Sequence, residues 1–437
     1  MSGRSPLLRK VFLRIRLVWE KPLSLLVSLP RHPAYLLSLE LQLLLFPFGH
    51  WYDTRIFFGT AAGVAHGMSP YSYFDLGAYY HSASLTGLAP GIGYAPPWAI
   101  FLAAMYDIAY VPSQNPLVLN LAIKMPIILG NLFLARFVRT TLQARGCPPD
   151  WARRAELLVL FNPFLLYTST FWNMYDTLVV LLFLYSLDYL EKARHGTAGL
   201  LLGISIALKH LALPLVPLGW LWIATRPLPL RDRLRNLASY STAVLGVAGA
   251  LAFGPFFVFG WPLSGFEAAA GYQAQVTGGF TLYQFLSVDL SSPTPLALLG
   301  YLPAIAVAIT YGFLYKTPLK DFADLSQVAL IITFVFMTTR TWVSEQNLAL
   351  VFPLVLFPEL LRGHGFRFAN SLWIIFFIYT VLNTIPFQFA FLLIPDAPLT
   401  AANFAGSAIL GPLRVAILPG CVVAWMALAW AYVMRNA

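Results

Sequence analysis

Residues 50–74 read HWYDTRIFFGTAAGVAHGMSPYSYF, and residues 94–98 read YAPPW. The placement of this stretch decides the fold, because a long apolar segment precedes it and an equally apolar chain resumes after it. Asp53 stands just beyond the end of the first apolar run. Asp75 lies deeper in the stretch, where a solvated carboxylate is the simpler reading. An acid at a membrane boundary is a functional candidate by default. A helix-capping or interfacial carboxylate is the equal alternative. The cluster Tyr71, Tyr73, Phe74, Tyr79 and Tyr80 favours interfacial helices over a free loop. Pro96-Pro97 suits the start of the next helix, where a missing N–H is no loss.

Composition sets the class. The chain is 59% hydrophobic and 11% charged, where a soluble domain carries about 25% charged residues. Mean hydropathy is +0.70. An all-α polytopic membrane protein is expected, its bilayer-crossing helices rich in the 12 Trp, 21 Tyr and 34 Phe that favour membrane interfaces. The net charge of +10 is clustered: seven of the 28 Lys and Arg precede Pro33, and others crowd Arg136 to Arg154 and Arg226 to Arg235. That is the distribution of cytoplasmic loops and excludes a nucleic-acid groove. Cys147 and Cys421 give neither a disulfide framework nor a metal pattern. Residues 1–32 read as a basic amphipathic arm on the inner leaflet, not a cleavable signal peptide.

Working outward from the quoted stretch, a first span covers 33–48, and the first large outer loop covers 50–95 with Arg55 as its one basic residue. Further spans are expected near 97–112, 116–138, 155–171, 176–190 and 199–223, the last kinked or divided at Lys209-His210. Others follow near 237–260, 294–315, 325–341, 347–361, 370–392 and 408–433, with a second outer loop at 261–292. At roughly 20 residues per span this gives about twelve crossings in a single transmembrane domain, 1–437. One conflict stands out. Full crossings by both 97–112 and 116–138 would put the arginines of 139–154 outside, so one of these segments should dip and return.

Few acids and bases lie in the spans or on the outer side. Lys209 is the most informative, since a lysine inside a span costs about 2.5–3.5 kcal/mol on insertion scales. A carboxylate, with Asp176 as the structural candidate, or a phosphate ligand must offset it. Lys124, near a span end, is expected to snorkel. Asp176 also suits the start of its helix. His50, His66 and His81 lack metal-ligand spacing. An outer carboxylate can act as a general base, and cations can hold a phosphate.

The stretch HWYDTRIFFGTAAGVAHGMSPYSYF…YAPPW resembles the first outer loop of polyprenyl-phosphate-sugar-dependent glycosyltransferases of the GT-C fold. The nearest likeness is to glycosyltransferase family 87 and to the catalytic subunit of GPI mannosyltransferase I. The matching features are Asp53 with Phe57, Gly67-Met68-Ser69-Pro70-Tyr71 and Tyr94-Ala95-Pro96-Pro97. KMPIILGN (with Lys124 and Asn131), FNPFLLYTSTFWNMYD, GLLLGISIALKHLALPLVP and WVSEQN resemble later segments of the family. The resemblance implies a GT-C type bundle and an inverting mannosyltransferase in the cell membrane, or the endoplasmic reticulum of a eukaryote, with its active site on the outer face. It implies a polyprenyl- or dolichyl-phosphate sugar donor and a glycan or glycolipid acceptor, with Asp53 as general base. Lys209, Arg340, Arg55 and His210 would hold the donor phosphate, and His50, Tyr71, Tyr94, Trp172, Asp176, Glu345 and Gln346 would contact substrate. Arg55 replaces the second acid of the family's D-x-D, so no metal cofactor is expected. A transporter or flippase of a lipid-linked sugar is the alternative, though no internal repeat supports it.

Overall fold

A computed structural model describes residues 32–286 and 299–436. The basic arm before His32 and the end of the second loop, 287–292, lie outside the described residues. The described chain is almost wholly helical. Its strands are two-residue bridges: β1 (Phe74–Asp75) with β2 (Leu88–Ala89), antiparallel, and β3 (Gly278–Gly279) with β4 (Trp342–Val343), parallel.

The helices open with α1 (Pro33–Leu44), α2 (Trp51–Ala65) and α3 (Pro97–Met105). The 29-residue α4 (Pro116–Ala144) follows. Asn115 caps it, accepting the Leu117 N–H at 2.9 Å, which satisfies one of the orphan donors of a helix start. Next come α5 (Pro149–Leu160), α6 (Asp176–Glu191), α7 (His195–Leu208) and α8 (Val216–Ala224). The 30-residue α9 (Leu230–Phe259) leads to α10 (Leu263–Gln275), α11 (Leu302–Leu314) and α12 (Phe322–Thr339). Finally, α13 (Val351–Leu361), α14 (Arg367–Thr384), α15 (Ala397–Ala405) and the 27-residue α16 (Leu410–Asn436) complete the chain.

Among the described residues, four helices are long and apolar enough to cross a membrane: α4, α9, α12 and α16. A fifth is possible if Pro149–Phe171 and α6, bent by 115° at their junction, form one broken span. This overturns the expectation of about twelve crossings and of a GT-C bundle. The reason is local: the apolar runs are long in sequence but are cut into short pieces. The run 195–224 is cut at Lys209, whose extended backbone (φ −156°, ψ 127°) separates α7 from a 3-10 turn at His210–Leu215. The segment after Pro97 is a nine-residue helix followed by a π-helical turn, Tyr106–Tyr110. Helical backbone runs on through that turn to Ser113, a little short of a bilayer core of about 30 Å, whereas α4 is long enough to cross, so 97–113 is the segment that suits the expected dip and return.

The long helices carry the lipid-facing surface. Phe257, Val258 and Phe259 on α9, Ile305, Ile309 and Phe313 on α11, and Val415, Val423 and Met434 on α16 are exposed. An exposed apolar surface of this extent marks a membrane or a partner, and together with the long apolar helices it makes this a multi-pass membrane protein. Inside, α7 lies along α9 with the two backbones close. A Cβ on Gly199 would come 2.5 Å from the Tyr240 carbonyl oxygen, and one on Gly203 2.8 Å from that of Val244. Small residues four apart allow this approach where lipid supplies no hydrophobic drive between helices.

Basic residues gather at one end of the bundle and are paired there. Arg139 meets Glu156 at 2.9 Å, Arg145 meets Asp188 at 2.8 Å and Arg362 meets Asp324 at 2.7 Å. The first loop, the junction before α6 and the break after α7 meet at the opposite end.

Candidate functional site

Three turns build the site. His50 precedes α2 and puts Asp53 in its first turn. The junction Trp172–Tyr175 reverses the chain, with Asn173 at φ 79° and its amide donating to Asn120 Oδ1 at 2.9 Å. The break after α7 presents Lys209 and His210. The His50 N–H donates to the Trp172 carbonyl at 3.0 Å, and the His50 ring stacks on the Trp172 indole with centroids 4.6 Å apart.

Asp53 is held from two sides. His50 Nδ1 lies 2.8 Å from its Oδ2, and Trp172 Nε1–H donates to the same oxygen at 2.7 Å. Burial alone would raise this carboxyl. The hydrogen bond and charge of His50, the indole N–H and the Lys209 charge outweigh it and hold the group below the ordinary aspartate value. Glu345 shows the opposite balance. Burial dominates, and it stays raised although Asn383 donates to it and His50 is near.

Lys209 donates to both Asp176 oxygens, at 2.8 and 2.9 Å, and both side chains are buried. Its ammonium also lies 5.2 Å from the Tyr94 ring centroid and 5.9 Å from that of Tyr175. Its charge is therefore already compensated within the protein.

Arg340 differs. It follows the last residue of α12, its Nη1 is buried without a hydrogen-bond partner, and no carboxylate pairs with it among the described ion pairs. Its guanidinium lies 5.2 Å from the Phe336 ring centroid. Burial pulls its pKa down to about 10, which leaves it charged at neutral pH. Beside it, burial and the Arg340 and Lys209 charges push His210 down to about 3, so the imidazole is neutral. Arg340, His210 and Lys209 line one cavity together with Tyr94, Trp342, Ser344, Gln346 and Asn347. Asn347 Oδ1 is likewise buried without a partner.

The structure thus gathers His50, Asp53, Trp172, Asp176, Lys209, His210, Tyr94, Arg340, Glu345 and Gln346 at one end of the bundle. It does not bring Arg55 or Tyr71 to the cavity. The Arg55 guanidinium donates to the Thr86 carbonyl at 2.6 Å on the loop's exposed side. The Tyr71 hydroxyl donates to the Tyr94 carbonyl at 2.9 Å, and its ring stacks on Phe256 of α9, so it braces the loop. Lys124 does not snorkel: it is fully buried and donates to the carbonyls of Leu45, at 3.0 Å, and Phe48, at 2.5 Å, just past the end of α1. The sequence reading missed Asn347, Asn383 and Asn120. The first lies in WVSEQN, where an amide next to singled-out polar residues was a usable signal; the other two carried none. Among the described residues no group of three or more His, Cys, Asp or Glu is placed to hold a metal ion.

No protein-family model matches the chain, and no curated protein matches it. With four or five candidate spans among the described residues in place of twelve, the resemblance to GT-C mannosyltransferases does not hold. The glycosyl-transfer reading, in which Asp53 acts as base toward a sugar acceptor, falls with that fold.

Proposed function

We propose that this membrane protein binds the anionic, phosphate-type headgroup of an amphiphile in the cavity lined by Arg340, His210 and Lys209. The single observation that carries the reading is the buried, unpartnered Nη1 of Arg340. A buried donor left unmade costs about 1–3 kcal/mol, more when charged, and a guanidinium is the side chain best shaped for phosphate or carboxylate oxygens. Neutral His210 and the amides of Gln346 and Asn347 offer further polar contacts along the wall. The paired arginines at the far end favour a cytoplasmic location for that end by the positive-inside rule, which turns the cavity to the opposite face. Apolar surfaces on α9 and α11 suit a ligand whose tail stays in lipid.

The test is equilibrium binding of decyl phosphate to the purified protein in nanodiscs, wild type against Arg340→Gln. The expected loss is about tenfold or more, the worth of one charge-assisted hydrogen bond. Equal affinity of the two proteins would remove the reading.

A further inference from the structure

The binding site has an uneven charge balance, and that balance selects among anions. Two basic side chains line the cavity, Lys209 and Arg340. Lys209 has both oxygens of Asp176 as acceptors, at 2.8 and 2.9 Å, and this pair is buried. Arg340 has no carboxylate partner among the described residues, and its Nη1 has no hydrogen-bond partner. The carboxylates nearby have partners of their own: Asp53 has His50 and Trp172, and Glu345 has Asn383. None of those five residues lines the cavity.

Resting on the anion-binding reading above, we infer that Asp176 sets the charge class of the ligand. By neutralising Lys209 it leaves a single uncompensated positive charge, that of Arg340, so the cavity takes a singly charged headgroup in preference to a doubly charged one. A dianion would bring one negative charge with no counter-charge into the site. Taking such a charge out of water costs several kcal/mol when nothing pairs with it. A phosphate diester carries one charge at any working pH, while a monoester approaches two above about pH 7 because its second ionisation lies near 6.

Two probes with the same tail separate these cases: decyl methyl phosphate, a diester, and decyl phosphate, a monoester, each titrated at pH 8 into the full chain in nanodiscs. Wild type should bind the diester about tenfold more tightly. Asp176→Asn releases the Lys209 charge and should reverse the order, with the monoester now the tighter ligand. Because that variant leaves a buried lysine unpaired and could fail to fold, the double variant Asp176→Leu with Lys209→Met serves as the companion. It removes the pair and leaves the net charge of the cavity unchanged, so it should keep the wild-type preference for the diester. Equal or tighter binding of the monoester by wild type overturns the inference, as does a double variant that reverses the order. These outcomes are distinct from failure of the underlying reading, which would show as no effect of Arg340→Gln on either probe.

Discussion

At the scale of single residues, two cations lining one cavity of this molecule have opposite circumstances. Lys209 was legible in the sequence as a charge needing compensation, and Asp176 was its structural candidate; the two meet through a pair of hydrogen bonds. What the sequence could not show is that Arg340, without a partner, would line the same cavity, because burial of one guanidinium nitrogen depends on how segments distant in the chain come together. Breaking the buried pair from one side should be costly. Lys209→Met alone is expected to lower stability by about 3–5 kcal/mol, measurable as a drop in the thermal midpoint in detergent. The two carboxyls also make opposite contributions as pH changes. Asp53 has a folded value below the ordinary aspartate value of 3.8, so its stabilisation is complete above that value and is lost as pH falls through the lower folded one. Glu345 has a folded value above 4.5, so its protonation favours the folded state and stability rises as pH is lowered toward it from neutrality. A stability profile should therefore improve from neutral to mildly acidic pH and decline below about 4. In Glu345→Gln the mildly acidic gain should shrink while the decline persists; an unchanged gain would show that another group is responsible.

At the scale of elements, the apolar pattern was easy to read and the breaks were not. Lys209-His210 was visible as a kink or division, and α7 does end at Leu208. The bend at Trp172–Tyr175 and the π-helical turns at Tyr106–Tyr110 and Tyr167–Phe171 leave no periodicity to detect, since apolar residues continue through them. Span counting by composition consequently overshot. The glycines of α7 are the clearest element-level test. Gly199→Val would press a side chain onto the Tyr240 carbonyl and should destabilise by about 1–3 kcal/mol, the usual range for overpacking. Gly246→Ala on α9, where an added Cβ meets nothing within 4 Å, should be neutral or slightly stabilising. Denaturation of both variants in the same detergent checks the contrast, and equal effects would argue against close packing of α7 on α9.

At the scale of the whole molecule, charge sorting and the cavity sit at opposite ends. Among the described residues, Arg139 and Arg145 of the basic cluster 136–154 form ion pairs at one end, while the stretch around Asp53 joined the junction before α6 and the break after α7 at the other. The resemblance to a twelve-span enzyme did not survive, because local motifs such as Gly67–Tyr71 describe a loop and not the number of helices behind it. Single cysteines placed at exposed Tyr73 and at Lys192, with Cys147 and Cys421 both buried, should react with a membrane-impermeant thiol reagent from opposite faces of sealed vesicles. Labelling of both from one face would refute a transmembrane arrangement of these two ends.

The most direct measurement of the central claim is a cryo-electron microscopy map of the protein in nanodiscs saturated with decyl methyl phosphate. The account predicts phosphate density within hydrogen-bond reach of Arg340 Nη1, at about 2.7–2.9 Å, with Lys209 still on Asp176. Density for the headgroup elsewhere, with the Arg340 guanidinium turned to a protein carboxylate, would contradict it.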